Sequence, residues 1–400
     1  MNGRIRRGIA AVAAALAVSY PGLAAAGQDP PPAGTITFGP LRVTPGLALS
    51  DAGVDDNVFN EPVDPKHDYT FTITPRALLA FRMRRLNATY LATTDYVYYQ
   101  KYSSERGTNT SSAGRVEVDL GRLKPYGTIQ GVNTKARLNS EVDARARHHD
   151  VTYGTGLAFK IASRTNVVVN ATQVEIDYEP DEQFRGVDLE QSFNSRRRVA
   201  DAGLAIALTP ITTLTVAVAR EEQRFQLSPD RDSNTWRIAP TFTFSPTGVL
   251  SGSASVGYRR FTPVSPTMPS YTGLVSAVNV NATIYGRHQM VAQFNRDVQY
   301  SYDLENDYYI GTGGSVTWTW LLFGPIDVRG TGGRNVMDYR GGTTPPHDTS
   351  FQYGGGVGYR FGSRARVGAN ILVTRRESNR PDRGFRNQRL FVGLTWGTIS

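Results

Sequence analysis

The stretch SDAGVDDNVFNEPVDP, residues 50–65, gathers Asp51, Asp55, Asp56, Asn57, Glu61 and Asp64 within sixteen positions. Oxygen donors at that density are what calcium prefers. A calcium loop supplies about six to eight of them, usually at a D-x-[DN]-x-[DN]-G spacing. Asp51, Asp55, Asp56 and Asn57 do not keep that spacing, and successive residues of an extended loop point apart. Asp and Asn also bond their own backbone in turns and tolerate left-handed geometry, so the stretch reads as a hairpin tip. The five histidines, His67, His148, His149, His288 and His347, offer no better site. Only His148 and His149 are adjacent, and neighbours on a strand face opposite sides. Cysteine is absent, which removes disulfides, thiol nucleophiles and Cys-ligated metals. No metal, no cofactor and no enzymatic activity are expected, although a Ser-His-Asp set assembled in three dimensions stays open.

A second group of polar residues has a regular placement. Arg115, Glu117 and Asp119, then Asn279 and Asn281, then Gln293, Asn295 and Asp297, then Arg360, and finally Arg366, Asn370 and Arg376 each stand opposite apolar positions in alternating segments. In SVTWTW, Val316, Trp318 and Trp320 share one face; in LVSAVNVNATIYG, Leu274, Val278, Val280, Ala282 and Ile284 do. A period of two over such lengths means two-faced strands.

Eighteen segments show this pattern: 41–52, 68–82, 85–101, 109–121, 125–137, 148–161, 165–178, 196–208, 212–226, 234–244, 249–261, 270–285, 288–302, 307–321, 325–339, 350–361, 365–377 and 387–398. They are longer than soluble strands and long enough to cross a bilayer at a tilt. Their connections alternate short and long along the whole chain. FRMRRL, GRLKP, TPITT and LFGP are short; 53–67, 138–147, 179–195 and 341–350 are long. The expected fold is all-β, a transmembrane antiparallel up-and-down β-barrel of about 18 strands, with short periplasmic turns and long extracellular loops. A mean hydropathy of −0.35 agrees, because half of every strand would face water. Aromatics near the strand ends complete the pattern. Tyr96, Tyr98, Tyr99, Tyr102, Tyr300, Tyr302, Tyr308 and Tyr309 fall at the outer ends, and Phe242, Phe244, Trp318, Trp320, Phe323 and Trp396 at the inner ones.

The N-terminus reads as an export signal. MNGRIRR is basic, GIAAVAAALAV is an apolar run of eleven residues, and Ala24-Ala25-Ala26 offers a cleavage site. Residues 1–26 are the expected signal peptide, 27–40 a Pro-rich periplasmic leader, and 41–400 the barrel. Without the signal, 41 basic residues stand against 35 acidic ones. That balance does not argue for nucleic acid. Both termini are expected in the periplasm and the barrel in the outer membrane, with its lipids and lipopolysaccharide as surroundings.

On such a barrel the polar set becomes the wall of an aqueous pore: Arg115, Glu117, Asp119, Asn279, Asn281, Gln293, Asn295, Arg360, Arg366 and Asn370. These residues fit either a merely wet lumen or a hydrogen-bonding wall for a hydrated, anionic glycan. Gly154, Gly156, Gly203, Gly311, Gly313, Gly354 and Gly356 share the inner parity and are expected to keep the bore wide. The longest loop, 179–195, carries Glu179, Asp181, Glu182, Asp188 and Glu190. It would make an acidic constriction facing Arg196, Arg197 and Arg198, or else a solvated exterior loop.

GLALSDAGVDDNVF, DYTFTITPRALLAF and LNATYLATTDYVYYQKY together resemble the start of a family of bacterial outer-membrane β-barrel porins. That family carries a similar D-N-V/I-[FY] first hairpin loop, a strand with a central proline, and a Tyr-rich third strand. Several members resemble the outer-membrane component of capsule or exopolysaccharide export systems. The resemblance therefore implies a channel for polysaccharide or oligosaccharide, with periplasmic polysaccharide-export proteins as partners, and it brings no catalytic residues. The last strand, RLFVGLTWGTIS, resembles the signal read by the barrel assembly machinery, although the terminal aromatic is missing. A general small-solute porin and a plugged structural or enzymatic barrel are the competing readings.

Overall fold

A computed structural model describes residues 34–245, 249–303, 306–342, 345–362, 364–380 and 382–397. The expected signal peptide and residues 27–33 of the leader lie outside the described residues. At the end of the leader Ile36–Phe38 form a short strand that turns back at Gly39 (φ 56°) onto the first barrel strand.

Eighteen long strands follow. They are β1 (Leu41–Asp55), β2 (Asp68–Met83), β3 (Leu86–Tyr99), β4 (Gly107–Val118), β5 (Leu123–Thr134) and β6 (His148–Ala162). Next come β7 (Thr165–Tyr178), β8 (Ser195–Thr209), β9 (Thr212–Phe225), β10 (Ser233–Phe244), β11 (Leu250–Pro263) and β12 (Tyr271–Ile284). The last six are β13 (His288–Tyr300), β14 (Tyr308–Phe323), β15 (Ile326–Arg340), β16 (His347–Phe361), β17 (Ala365–Ser378) and β18 (Phe385–Gly397). Each pairs antiparallel with its sequence neighbours, and β1 pairs with β18. The barrel is closed and has no free edge, the condition for a sheet to cross hydrocarbon with its backbone groups satisfied. No helix among the described residues is long and apolar enough to cross a membrane; the strands do the crossing.

Alternation places the apolar face outward. Val116, Ile129, Leu204, Val218, Leu274, Val316, Val357 and Leu390 are all exposed there. A lipid-facing wall inverts the usual burial pattern in this way. Trp318, Phe323, Phe242, Tyr359 and Trp396 stand on this outer face near the short turns, as an interfacial belt should. The other end differs from expectation. Tyr96 and Tyr98 face outward, but Tyr99, Tyr302, Tyr308 and Tyr309 are buried in the mouth of the barrel.

The Asp/Asn stretch begins in a bulge and ends in a tip. The register slips between Ser50 and Gly53, with Asp51 in the left-handed region at φ 52°. At the tip the side chains serve the backbone. Asp55 accepts from Asn57 N–H at 3.1 Å, and Asn57 Oδ1 accepts from Glu61 N–H at 2.9 Å. Asn57 Nδ2 also donates to the Arg386 carbonyl at 3.0 Å, tying the tip to the start of β18.

Candidate translocation pathway

Strand registers define the inner wall as a set of rows. Asn279, Gln293 and Ser315 face one another across β12, β13 and β14. Asn295, Gly313 and Asn335 form the next row across β13–β15, and Asn281 lies beside Val291. On β4, Arg115 bonds Glu117 at 2.8 Å and lies over the Tyr126 ring at 3.9 Å. Asp119 is a correction. It lies past the end of β4, where it bonds Lys124 at 2.8 Å and accepts from Gly121 N–H at 2.8 Å in a short turn. A turn residue cannot line the wall.

Arg360 and Arg366 do face inward near the short turns, but they are not free charges. Both hold Asp327, whose side chain is fully buried: Arg360 Nε at 2.9 Å and Arg366 Nη2 at 2.7 Å. Space for this comes from glycine. A Cβ on Gly358 would lie 2.3 Å from Arg366 Nη2, so the guanidinium rests directly on the backbone. Asn370 likewise lies over Gly356, and Tyr126 over Gly156. Gly154, Gly156, Gly313, Gly356 and Gly358 therefore act as seats for neighbouring side chains rather than as openings in the bore. Beside this cluster, Arg329 faces the lumen with no ion pair among the described residues, and its Nε has no hydrogen-bond partner.

A second basic cluster lies near the long loops. Arg259 bonds Asp297 at 2.7 Å and Glu221 at 3.1 Å. It does so from β11, where its register partner on β12 is Gly273. Arg197 and Arg237 line the same hollow as Glu221, Arg259 and Asp297 and have no ion pair among the described residues. Of the three consecutive arginines, only Arg197 points inward. Arg196 and Arg198 share the outer face with Leu204 and bond Glu175 (2.7 Å) and Gln173 (3.0 Å).

The inward loop is not the one expected. Residues 135–147, between β5 and β6, enter the bore. Asn335 of β15 donates to Ser140 Oγ at 3.1 Å, and Arg376 of β17 donates to the Ser140 carbonyl at 3.0 Å. β15 stands nine places from β6 in a ring of eighteen, so this loop crosses the full diameter. Its base is fixed by Arg145 on Glu105 (2.6 Å) and by Asp143 on Arg137 (2.9 Å) and Asn60 (2.8 Å). At its centre Glu141 is fully buried, accepting from Ser301 Oγ at 2.5 Å and Tyr302 N–H at 3.3 Å. Burial pushes that carboxyl up to about 7.

Loop 179–195 packs on top of this bridge with apolar groups. Its short helix α1 (Leu189–Phe193) buries Leu189 and Phe193 against Val142, Ala146, Tyr178 and Tyr302. The acids are turned elsewhere. Asp188 caps the helix through Glu190 and Gln191 N–H, Glu190 reaches Asn194, and Glu179 and Asp181 are exposed. Glu182 is half-buried, and its carbonyl accepts from Leu189 N–H at 3.0 Å. No acidic constriction forms. Arg231, buried under the same lid, donates to the Ser192 carbonyl at 2.7 Å and the Asp307 carbonyl at 2.9 Å.

Sequence reasoning missed Glu141, Arg237, Arg259 and Arg329, and it named Arg197 only together with Arg196 and Arg198, which face outward. Strand parity was the available signal for the arginines; around Arg197 it is weak, because in RRRVADAGLAIAL alanines stand on both faces. Nothing local marks Glu141 as a bridge residue.

Comparison with known proteins accords with this geometry. The family model described as "Putative beta-barrel porin 2" matches residues 29–397. Pseudomonas aeruginosa OccK2 (OpdF), solved in complex with glucuronate, is 11% identical over 89% of this chain and 98% of its own, with a TM-score of 0.50. A BenF-like porin from Pseudomonas fluorescens Pf-5 is 11% identical, covering 90% of this chain and 99% of its own, with a TM-score of 0.49. At such identity the likeness to OccK2 is one of fold. No curated protein matches the chain. With the family model spanning the closed eighteen-strand ring from end to end, the chain belongs to the putative β-barrel porin 2 family of outer-membrane barrels.

Proposed function

We propose that the barrel passes small anionic solutes, carboxylates above all, across the outer membrane. The observation that carries this is the placement of unpaired arginines at both ends of a polar lumen: Arg197 and Arg237 near the long loops, Arg329 near the short turns. Across β12–β15 the wall between them is neutral and hydrogen-bonding, with Asn279, Gln293, Ser315 and Thr331. An anion entering from either side meets a positive potential, and a low-dielectric wall strengthens it. With long loops outside and short turns inside, the orientation general to such barrels, both termini would lie in the periplasm.

Polysaccharide export, implied by the sequence resemblance, fits this lumen less well. A glycan chain would need residues 135–147 to leave the bore, together with the α1 loop packed on them. Small solutes need only the space beside the bridge. The test is flux into proteoliposomes of a sugar acid and of its uncharged parent sugar. The acid is expected to enter several-fold faster, and Arg197→Gln with Arg237→Gln to remove most of that preference. Equal rates for both solutes would reject the anion reading, and passage of long oligosaccharides would restore the export reading.

A further inference from the structure

The outer wall carries a hollow of about 490 Å³ where a membrane barrel is normally smooth. Thr155, Ala171 and Ala200 form its floor; they are register partners across β6, β7 and β8. Tyr153, Arg198 and Arg220 stand on its rim. One row nearer the short turns, Val169, Ala202, Val218 and Ile238 are register partners and apolar. One row nearer the long loops, Gln173, Arg198 and Glu222 are register partners and polar. The hollow therefore straddles the line where the lipid-facing wall changes from apolar to charged. That line is the headgroup level of the leaflet on the long-loop side. Trp236, exposed beside Arg220 in the same row, marks it as well.

The rim is cationic where it matters. Arg198 gives its Nε to the neutral Gln173 at 3.0 Å and has no carboxylate partner. Arg220 gives one Nη2 bond to Glu222 at 2.8 Å and lies 6.0 Å from the Trp236 ring. Each guanidinium carries about five N–H donors in a fork that matches phosphate oxygens, so both keep donors to spare. Neither group faces the lumen, so the channel chemistry above does not use them.

We propose that this hollow is a specific seat for a phosphorylated glycolipid of the outer leaflet. One acyl chain lies in the apolar floor, and a sugar-linked phosphate bridges Arg198 and Arg220. The proposal rests on the long loops facing outward, and its test is separate from transport. Purified protein would be examined by native mass spectrometry with a bisphosphorylated lipid A, with its dephosphorylated form and with phosphatidylglycerol. Wild type is expected to retain the bisphosphorylated lipid at least tenfold better than either other lipid. Arg198→Gln combined with Arg220→Gln should lose that retention, and Ala200→Trp should lose it by filling the floor with the arginines intact. The folded band on unboiled gels is expected to be unchanged in both variants, which shows that they fold. Undiminished retention in the variants, or equal retention of phosphatidylglycerol, would overturn the seat. So would a wild-type oligomer that Ala200→Trp dissociates, because the face would then belong to a second copy of the chain.

Discussion

Arginines of the same wall do different work according to whether a carboxylate pairs with them. Arg366 and Arg360 neutralise Asp327, which has no exposed side-chain surface. Arg366→Gln leaves that charge half-compensated in a dry position. It is expected to cost about 3 kcal/mol in urea unfolding of the bilayer-inserted barrel. Arg329→Gln removes an unpaired cation, so stability should stay within about 0.5 kcal/mol while anion preference falls. Unchanged selectivity in that variant would remove Arg329 from the pathway. Glu141 offers the pH test. Burial raises its carboxyl to about 7 from the ordinary 4.5, although Ser301, Tyr339, the Tyr302 amide and the Arg376 guanidinium pull it down. A raised carboxyl means the seated loop is favoured fully below about pH 4.5 and loses that advantage as pH rises to about 7. Conductance should therefore increase across that window, and Glu141→Gln should flatten the rise; a slope unaffected by this substitution would place the titrating group elsewhere.

At the level of elements, the strands were legible in the sequence and the loops were not. β7 and its neighbours keep one strict alternation, so the expected 165–178 is the observed span, and even β16 starts only three residues before the expected 350. Inside and outside follow from parity once the strands are known. What parity cannot tell is where a connection goes after the last paired residue. Residues 135–147 cross the bore because Arg376, Asn335, Ser301 and Glu105 receive them, and those partners are scattered over the chain. The same limit applies to Arg360 and Arg366, since their tie to Asp327 depends on the β15–β17 register. Replacing residues 138–144 with a short Gly-Ser link is expected to raise single-channel conductance several-fold. An unchanged step size would mean that the bridge does not set the resistance. The seam between β1 and β18 gives a steric prediction. A Cβ on Gly53 would lie 2.0 Å from the Leu390 carbonyl oxygen, a backbone atom that cannot swing aside. Gly53→Ala should destabilise closure by about 2 kcal/mol, visible as a lower melting temperature of the folded band on unboiled gels.

As a whole molecule, the barrel combines an apolar exterior, a polar interior and a mouth bridged by folded loops. The eighteen-strand ring sets the diameter, the bridge crosses it, and in the proposed pathway the arginines without an ion pair at the two ends would choose the sign of what passes. A wide conduit for polymer and a sealed structural barrel are both disfavoured by that combination. The most direct measurement is the reversal potential of the purified mature chain in a planar bilayer under an asymmetric KCl gradient. The arrangement of Arg197, Arg237 and Arg329 predicts small, discrete openings with a reversal potential displaced toward that of chloride. Displacement toward potassium, or the absence of any openings between acid and neutral pH, would contradict it.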